Sequence, residues 1–320
     1  MPTDLTKPAY IKEMQVARGL GILLVTFGHS EPVSEVFPAL WNLIYSFHMP
    51  LFFFMSGFFS ARLINRNWSR EIVPSTLKLF IPYLVISISY GLIKFIVPAL
   101  AKRPVVLSEL PVDILFYPFH NPALFLWFLY ILIFMRLISP LFRGNRAILL
   151  LPLSLLGACY YGNIDLFGIW GVLKYLVFFQ SGLVLSHYQE QLFKLLASPV
   201  FLIAIMLLFA LAYYFGRHVE AGPIPVGIAF LGISCALALS FSILFALRSE
   251  WVEYVGSRSL EIYLLQYYFI FPVLFALGKL SVPPPIIVGC TFIIGLCGPL
   301  LLYHVILKRV SVFRLLLTGR

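Results

Sequence analysis

The sequence predicts an all-α polytopic membrane protein of about ten transmembrane helices with both termini in the cytoplasm. Three observations carry that prediction: composition, the number of long apolar stretches, and the distribution of Lys and Arg. Of 320 residues 61% are hydrophobic and 11% charged, whereas soluble domains carry roughly 25% charged residues. A mean hydropathy of +0.96 leaves too little polar surface to cover a water-facing fold. A soluble enzyme with one anchor, a disordered chain and a secreted disulfide scaffold are excluded.

A span needs about 20 apolar residues, and periodicity is silent within continuous apolar runs, so length and flanking polar residues set the boundaries. The first span is placed near 15–30; its histidine and the absence of a small-residue cleavage pattern make it a retained span and not a signal peptide. The others follow near 40–60, 77–97, 123–142, 147–161 (the shortest), 168–186, 199–215, 225–247, 260–277 and 285–307. No internal repeat or low-complexity linker divides the chain, which is expected to be one membrane-embedded domain over 1–320 with no appended soluble domain.

With the N-terminus inside, the outer loops hold only Lys102, Arg103, Arg217 and Lys279, and Lys94, Arg136 and Lys174 fall inside spans. The remaining Lys and Arg lie on the cytoplasmic side, a bias of about four to one that fixes the orientation and an even number of spans. The net charge of +10 is thereby read as the positive-inside pattern and not as a nucleic-acid footprint. Cys159, Cys235, Cys290 and Cys297 lie in apolar stretches without metal-ligand spacing.

A charged or titratable group at membrane depth costs at least ~2.5 kcal/mol, so each asks for an explanation. For Lys94, Arg136 and Lys174, near span ends, snorkelling to the interface suffices. Arg18 and His29 stand eleven residues apart in ARGLGILLVTFGHS, which is three helical turns plus about 20°, so they share a face and differ in depth by roughly 16 Å. An interface arginine with a histidine bonded across helices explains the pair, and so does a site. Gly19, Gly21 and Gly28 thin this helix and admit a close neighbour or a ligand. His48, about eight residues into the second span, reaches ~12 Å depth, and Pro50 is expected to kink that helix there. His48 either joins His29 in a polar chamber or satisfies a carbonyl that the proline frees.

Arg62, Arg66 and Arg70 recur every four residues in the loop that follows, which would align them on one helical face. Such a stripe suits the phosphates of a nucleotide-containing donor, or lipid headgroups under the positive-inside rule. Glu261 opens the ninth span with Arg258 and Arg18 as alternative partners, and Tyr263 and Gln266 add polar handles to that helix.

At these residues the sequence resembles the acyltransferase 3 family of integral membrane acyltransferases. The resemblance lies in Arg18 and His29 with ten residues between them, FHMPLFFFMSGFF at 47–59, IPYLV at 81–85, LWFL at 126–129, FFQSGLVL at 178–185 and GSRSLEIYLLQ at 256–266. The second span looks most like the branch of fucose 4-O-acetylases and other carbohydrate O-acetyltransferases. The resemblance implies cytoplasmic acetyl-CoA as acyl donor, no metal, an acceptor hydroxyl on a carbohydrate or lipid-linked glycan, and a bacterial inner membrane. It also implies His29 as the catalytic histidine with Arg18 as its partner. Gln15 stands where an acidic residue is common, Ser75 and Lys78 where a basic pair is common, and Gln266 where a histidine is common.

Catalytic residues are accordingly expected at His29, Arg18 and His48, and donor-binding residues at Arg62, Arg66, Arg70 and Lys78. Neutral His29 would act as general base on the acceptor hydroxyl, with His48 and Tyr45 as candidates to stabilise the tetrahedral intermediate. An acetyl-histidine relay remains an alternative to direct attack. The outer segment 98–122, with Lys102, Arg103, Glu109, Asp113 and His120, either shapes acceptor access or is an ordinary connector. The sequence also admits a secondary transporter of a lipid-linked sugar or small anion, although the lack of an internal repeat speaks against it, and a non-catalytic scaffold in glycan assembly. Oligomeric state is not readable.

Overall fold

The computed structural model describes residues 11–97, 105–242 and 249–319. Among them the regular elements are all helices: α1 Lys12–Gly28, α2 Pro38–Tyr45, α3 His48–Ser60, α4 Val73–Ile96, α5 Leu110–Phe116, α6 Trp127–Ile138, α7 Leu151–Cys159, α8 Ile169–Ser186, α9 Gln189–Leu196, α10 Pro199–Gly216, α11 Pro223–Phe241, α12 Ser249–Ser257, α13 Ser259–Lys279, α14 Pro284–Leu302 and α15 Ser311–Thr318, with short single turns between some of them. The all-α polytopic architecture is as the composition requires.

Eight stretches among the described residues are long and apolar enough to cross a membrane. They match the expected spans other than 15–30 and 147–161. The first of these is α1, at 17 residues at the short end of the range for a span and carrying Lys12, Glu13 and Arg18. The second is interrupted. A short turn ends at Leu149 and α7 begins with Pro152 in its first turn, because proline lacks the N–H and its ring crowds the carbonyl four residues back. At ~1.5 Å per residue, Arg146–Cys159 rises roughly 21 Å, short of a hydrocarbon core of about 30 Å. The expected span 225–247 ends at Phe241, and 243–248, with Arg248, lies outside the described residues.

The chain forms two compact units, one from Met1–Arg62 with Ser181–Leu301, the other from Leu63–Gln180 with Leu302–Arg320. In the first, α1 buries Met14, Val16, Ala17, Ile22 and Val25 and packs on α3, α11, α12 and α13. Its approach to α12 is backbone to backbone: Gly19 lies against the Val252 carbonyl and Gly256 against the Gln15 carbonyl, so neither glycine has room for a side chain. Glu261, 1% exposed, pairs with Arg258 at 3.5 Å, one of the two partners open from the sequence.

In the second unit, α4 packs on α6 and α15, and a buried polar cluster fixes the segment leading into α6. Tyr83 donates to the Ile114 carbonyl at 2.6 Å, Ser87 donates to the Tyr83 carbonyl at 2.7 Å, and the Asn121 amide donates to both hydroxyls, at 3.1 and 2.8 Å. Asn121 Oδ1 accepts from the Ala123 N–H at 2.8 Å. Lys94 donates to the Pro122 carbonyl at 2.7 Å, and Lys174 lies over the Tyr161 ring at 4.9 Å. These lysines thus have partners within the protein. The segment expected on the outer side contains α5 where it is described, and His120 sits 3.8 Å from Asp113 and 3.9 Å from Asp165. Its residues 98–104, with Lys102 and Arg103, lie outside the described residues.

Candidate functional site

His29 stands where α1 stops. Its backbone N–H still bonds the Val25 carbonyl at 3.0 Å, but Ser30 turns its hydroxyl back onto the Thr26 carbonyl at 2.7 Å. Pro32 follows two residues later, and a proline cannot continue the ladder. The histidine is therefore the C-cap of the helix and is half-buried.

Two groups from α13 hold that ring. Tyr267 stacks on it with centroids 5.0 Å apart and planes at 29°, and Tyr267 is in turn stacked on Phe271 at 5.1 Å. The Gln266 amide meets His29 Nδ1 at 3.2 Å. Gln266 is wholly buried. The stack holds the plane of the imidazole, and the amide contact holds its rotation within that plane.

A second set of contacts, at the neighbouring Gly28, comes from α2 and the start of α3. The Gly28 carbonyl accepts from Trp41 Nε1 at 3.2 Å and from the Tyr45 hydroxyl at 3.4 Å. Trp41 and Tyr45 stack at 4.0 Å, and the Tyr45 ring meets His48 edge-on at 4.6 Å. A Cβ at position 28 would stand 2.9 Å from the Tyr45 ring, so the ring could keep its place only against glycine. Tyr45 thus bridges the two regions, bonding the Gly28 carbonyl next to His29 and touching the His48 ring.

The second span is not kinked by Pro50. It is broken earlier, between Tyr45 and His48, where Phe47 leaves helical geometry with φ −141. Pro50 falls in the first turn of α3, where its missing N–H has no intrahelical partner to lose. His48 is buried and its Nδ1 lies 2.8 Å from the Ile44 carbonyl. A carbonyl only accepts, so Nδ1 carries the proton and Nε2 of the neutral ring is an acceptor. The Tyr45 proton is likewise engaged on Gly28. Neither group, as a neutral side chain, offers the free donor expected of them for a tetrahedral intermediate.

Arg18 lies on α1 with its guanidinium over the Phe59 ring, 4.2 Å from the centroid. The expected helical stripe of Arg62, Arg66 and Arg70 does not form: residues 61–66 are turn, and helix resumes only after Asn67. The reason is local. The Asn67 side chain accepts the Arg70 N–H at 3.0 Å, the bond of an N-cap, which starts a new helix and ends any continuity with the previous one. Arg62 belongs to the first unit, and Arg66, Arg70 and Lys78 to the second.

Within the second unit Arg66 does line a cleft of about 880 Å³, together with Asn65, Asn67, Trp68, Pro140, Arg143 and Arg146. Arg66 pairs with Glu71 at 2.5 Å. Arg143 donates twice to the Ile64 carbonyl, at 3.1 and 2.6 Å. The Trp68 indole is fixed by its bond to the Leu137 carbonyl at 3.0 Å, yet half of it is exposed. Arg70 and Lys78 are exposed but do not line this cleft. Arg136 reaches the Ser75 hydroxyl at 3.5 Å. Among the described residues no three His, Cys, Asp or Glu side chains gather as a metal site.

Sequence reasoning marked Gln266 as a polar handle without joining it to His29, and passed over Tyr267 and Trp41 at the histidine, and Trp68, Arg143 and Arg146 at the cleft. A buried amide in an apolar span signals a partner, but a partner 237 residues away cannot be read from spacing.

Comparison with protein-family models gives a match to Acyl_transf_3, described as an acyltransferase domain, over residues 11–304. Neither the curated proteins nor the solved structures yield a match.

Proposed function

This chain belongs to the Acyl_transf_3 family and is an integral, multi-pass membrane acyltransferase, and we propose that it is an O-acetyltransferase. The donor is cytoplasmic acetyl-CoA, and the acceptor is a hydroxyl of a carbohydrate or lipid-linked glycan. This reading places it with the fucose 4-O-acetylase and carbohydrate O-acetyltransferase branch, in a bacterial inner membrane with both termini cytoplasmic. The observation that carries it is the half-buried His29 at the end of α1, its ring held by Tyr267 and Gln266.

Neutral His29 takes the proton of the acceptor hydroxyl as that oxygen attacks the thioester carbonyl. A C–O bond forms, the C–S bond breaks, and the imidazolium returns its proton to the departing thiolate. His48, whose Nε2 is an acceptor, suits a hydrogen bond from a sugar hydroxyl and so orients the acceptor. Arg18 serves the donor from the cytoplasmic side, stiffened by Phe59.

The CoA phosphates need guanidinium forks, and its adenine needs a flat apolar surface. Arg66, Arg146 and the half-exposed Trp68 supply both in one cleft, while Arg70 and Lys78 add positive charge to the same unit. Radiolabelled acetyl-CoA given to inverted membrane vesicles tests the reading. Label should enter a glycan or lipid-linked fraction with the wild type, and not with His29→Ala or Arg18→Ala.

A further inference from the structure

We infer that Gln266 is a positioning residue that turns its side-chain carbonyl to His29 Nδ1–H, so that the lone pair stands on Nε2. The inference rests on the reading of His29 as the base. A neutral imidazole carries one N–H, and whichever nitrogen holds it cannot accept a proton. The partner at Nδ1 therefore decides whether Nε2 is a base or a donor.

That partner is an amide, and an amide presents either a donor or an acceptor with almost the same shape. Asn121 shows how such a choice becomes fixed. Its nitrogen faces two hydroxyls whose protons are already committed to carbonyls, and its oxygen faces a backbone N–H, so only one orientation satisfies all three. Gln266 has no such constraint. With its nitrogen toward Nδ1, its oxygen is buried without a hydrogen-bond partner among the described residues. That arrangement would also put the imidazole proton on Nε2 and leave no basic nitrogen. Turning the amide gives the carbonyl a donor and bares Nε2, and it moves the amide NH2 to the buried place where the oxygen found no partner.

The consequence is catalytic and not merely structural. When Nε2 takes the hydroxyl proton, the Nδ1–H···O=C bond becomes charge-assisted and about twice as strong. The gain appears only as the imidazolium forms, so its loss lowers kcat and leaves KM unchanged.

The test uses the full chain in native membranes for kinetics, and the purified protein in lipid for spectroscopy. Gln266→Glu keeps an oxygen for Nδ1–H; Gln266→Met keeps the volume and removes every polar atom. We expect Gln266→Met to lose on the order of 10- to 100-fold in kcat, and Gln266→Glu to stay within about threefold of wild type. In protein labelled with 15N-imidazole histidine, with the His29 signals identified by their loss in His29→Gln, the wild type should show the proton on Nδ1. A wild-type proton on Nε2 would overturn the inference, as would a Gln266→Glu loss equal to that of Gln266→Met. Failure of the base reading is separately visible as full transfer by His29→Ala, because the nitrogen spectrum does not depend on activity.

Discussion

Asn121→Ala removes the centre of the buried cluster that ties α4 to the segment before α6. Three hydrogen bonds disappear: those to Tyr83 and Ser87, and the one from the Ala123 N–H. Asn121 and Ala123 are 3% and 1% exposed, so water does not replace what is lost. At about 1 kcal/mol net for each bond, and 1–3 kcal/mol for leaving the Ala123 N–H without a partner, the cost is about 4–6 kcal/mol. Ser87→Ala, which leaves the Asn121–Tyr83 and Asn121–Ala123 bonds in place but ends the bonds of Ser87 to Asn121 and to the Tyr83 carbonyl, should cost about 2 kcal/mol. Cys159 is buried in the same unit and reports its opening. With the other three cysteines changed to serine, a thiol-reactive dye follows thermal exposure of Cys159 in purified protein. Asn121→Ala should expose it at a clearly lower temperature than Ser87→Ala. Equal midpoints for the two variants, or an Asn121→Ala midpoint equal to wild type, would refute the reasoning.

Two further outcomes follow from contacts already described. Gly256→Ala inserts a methyl where α12 meets the Gln15 carbonyl; overpacking of this kind costs about 1–3 kcal/mol, and a lowered unfolding temperature with reduced transfer activity should result. Arg66→Ala and Arg146→Ala should each raise KM for acetyl-CoA about tenfold with kcat unchanged, the size of one charge-assisted bond of ~1.4 kcal/mol, measured by initial rates in inverted vesicles.

The helical membrane architecture was legible because apolar length is a one-dimensional property: a run of about 20 residues announces a span without knowledge of its neighbours. The break near His48 was less legible. Pro50 drew attention as the helix breaker, whereas the chain leaves helical geometry at Phe47 and uses the proline to begin the next helix. His29 and His48 could be placed at similar depth because depth follows from counting residues along two consecutive spans. Gln266 and Tyr267 could not, since nothing local in GSRSLEIYLLQYY says which face of α13 meets α1. The four-residue spacing of Arg62, Arg66 and Arg70 misled for a related reason. Spacing implies a shared face only if the segment is helical, and Asn67 caps a new helix in the middle of the run. Arg143 and Arg146 reach the cleft from a distant loop, and only the fold brings them to Arg66.

The most direct measurement of the central claim is acetyl transfer from radiolabelled acetyl-CoA in inverted vesicles, with wild type beside His29→Ala at matched protein levels. The account predicts label in a glycan or lipid-linked fraction from the wild type and a loss of at least about 100-fold with His29→Ala, as removal of a general base requires. Wild-type rates from His29→Ala would contradict it.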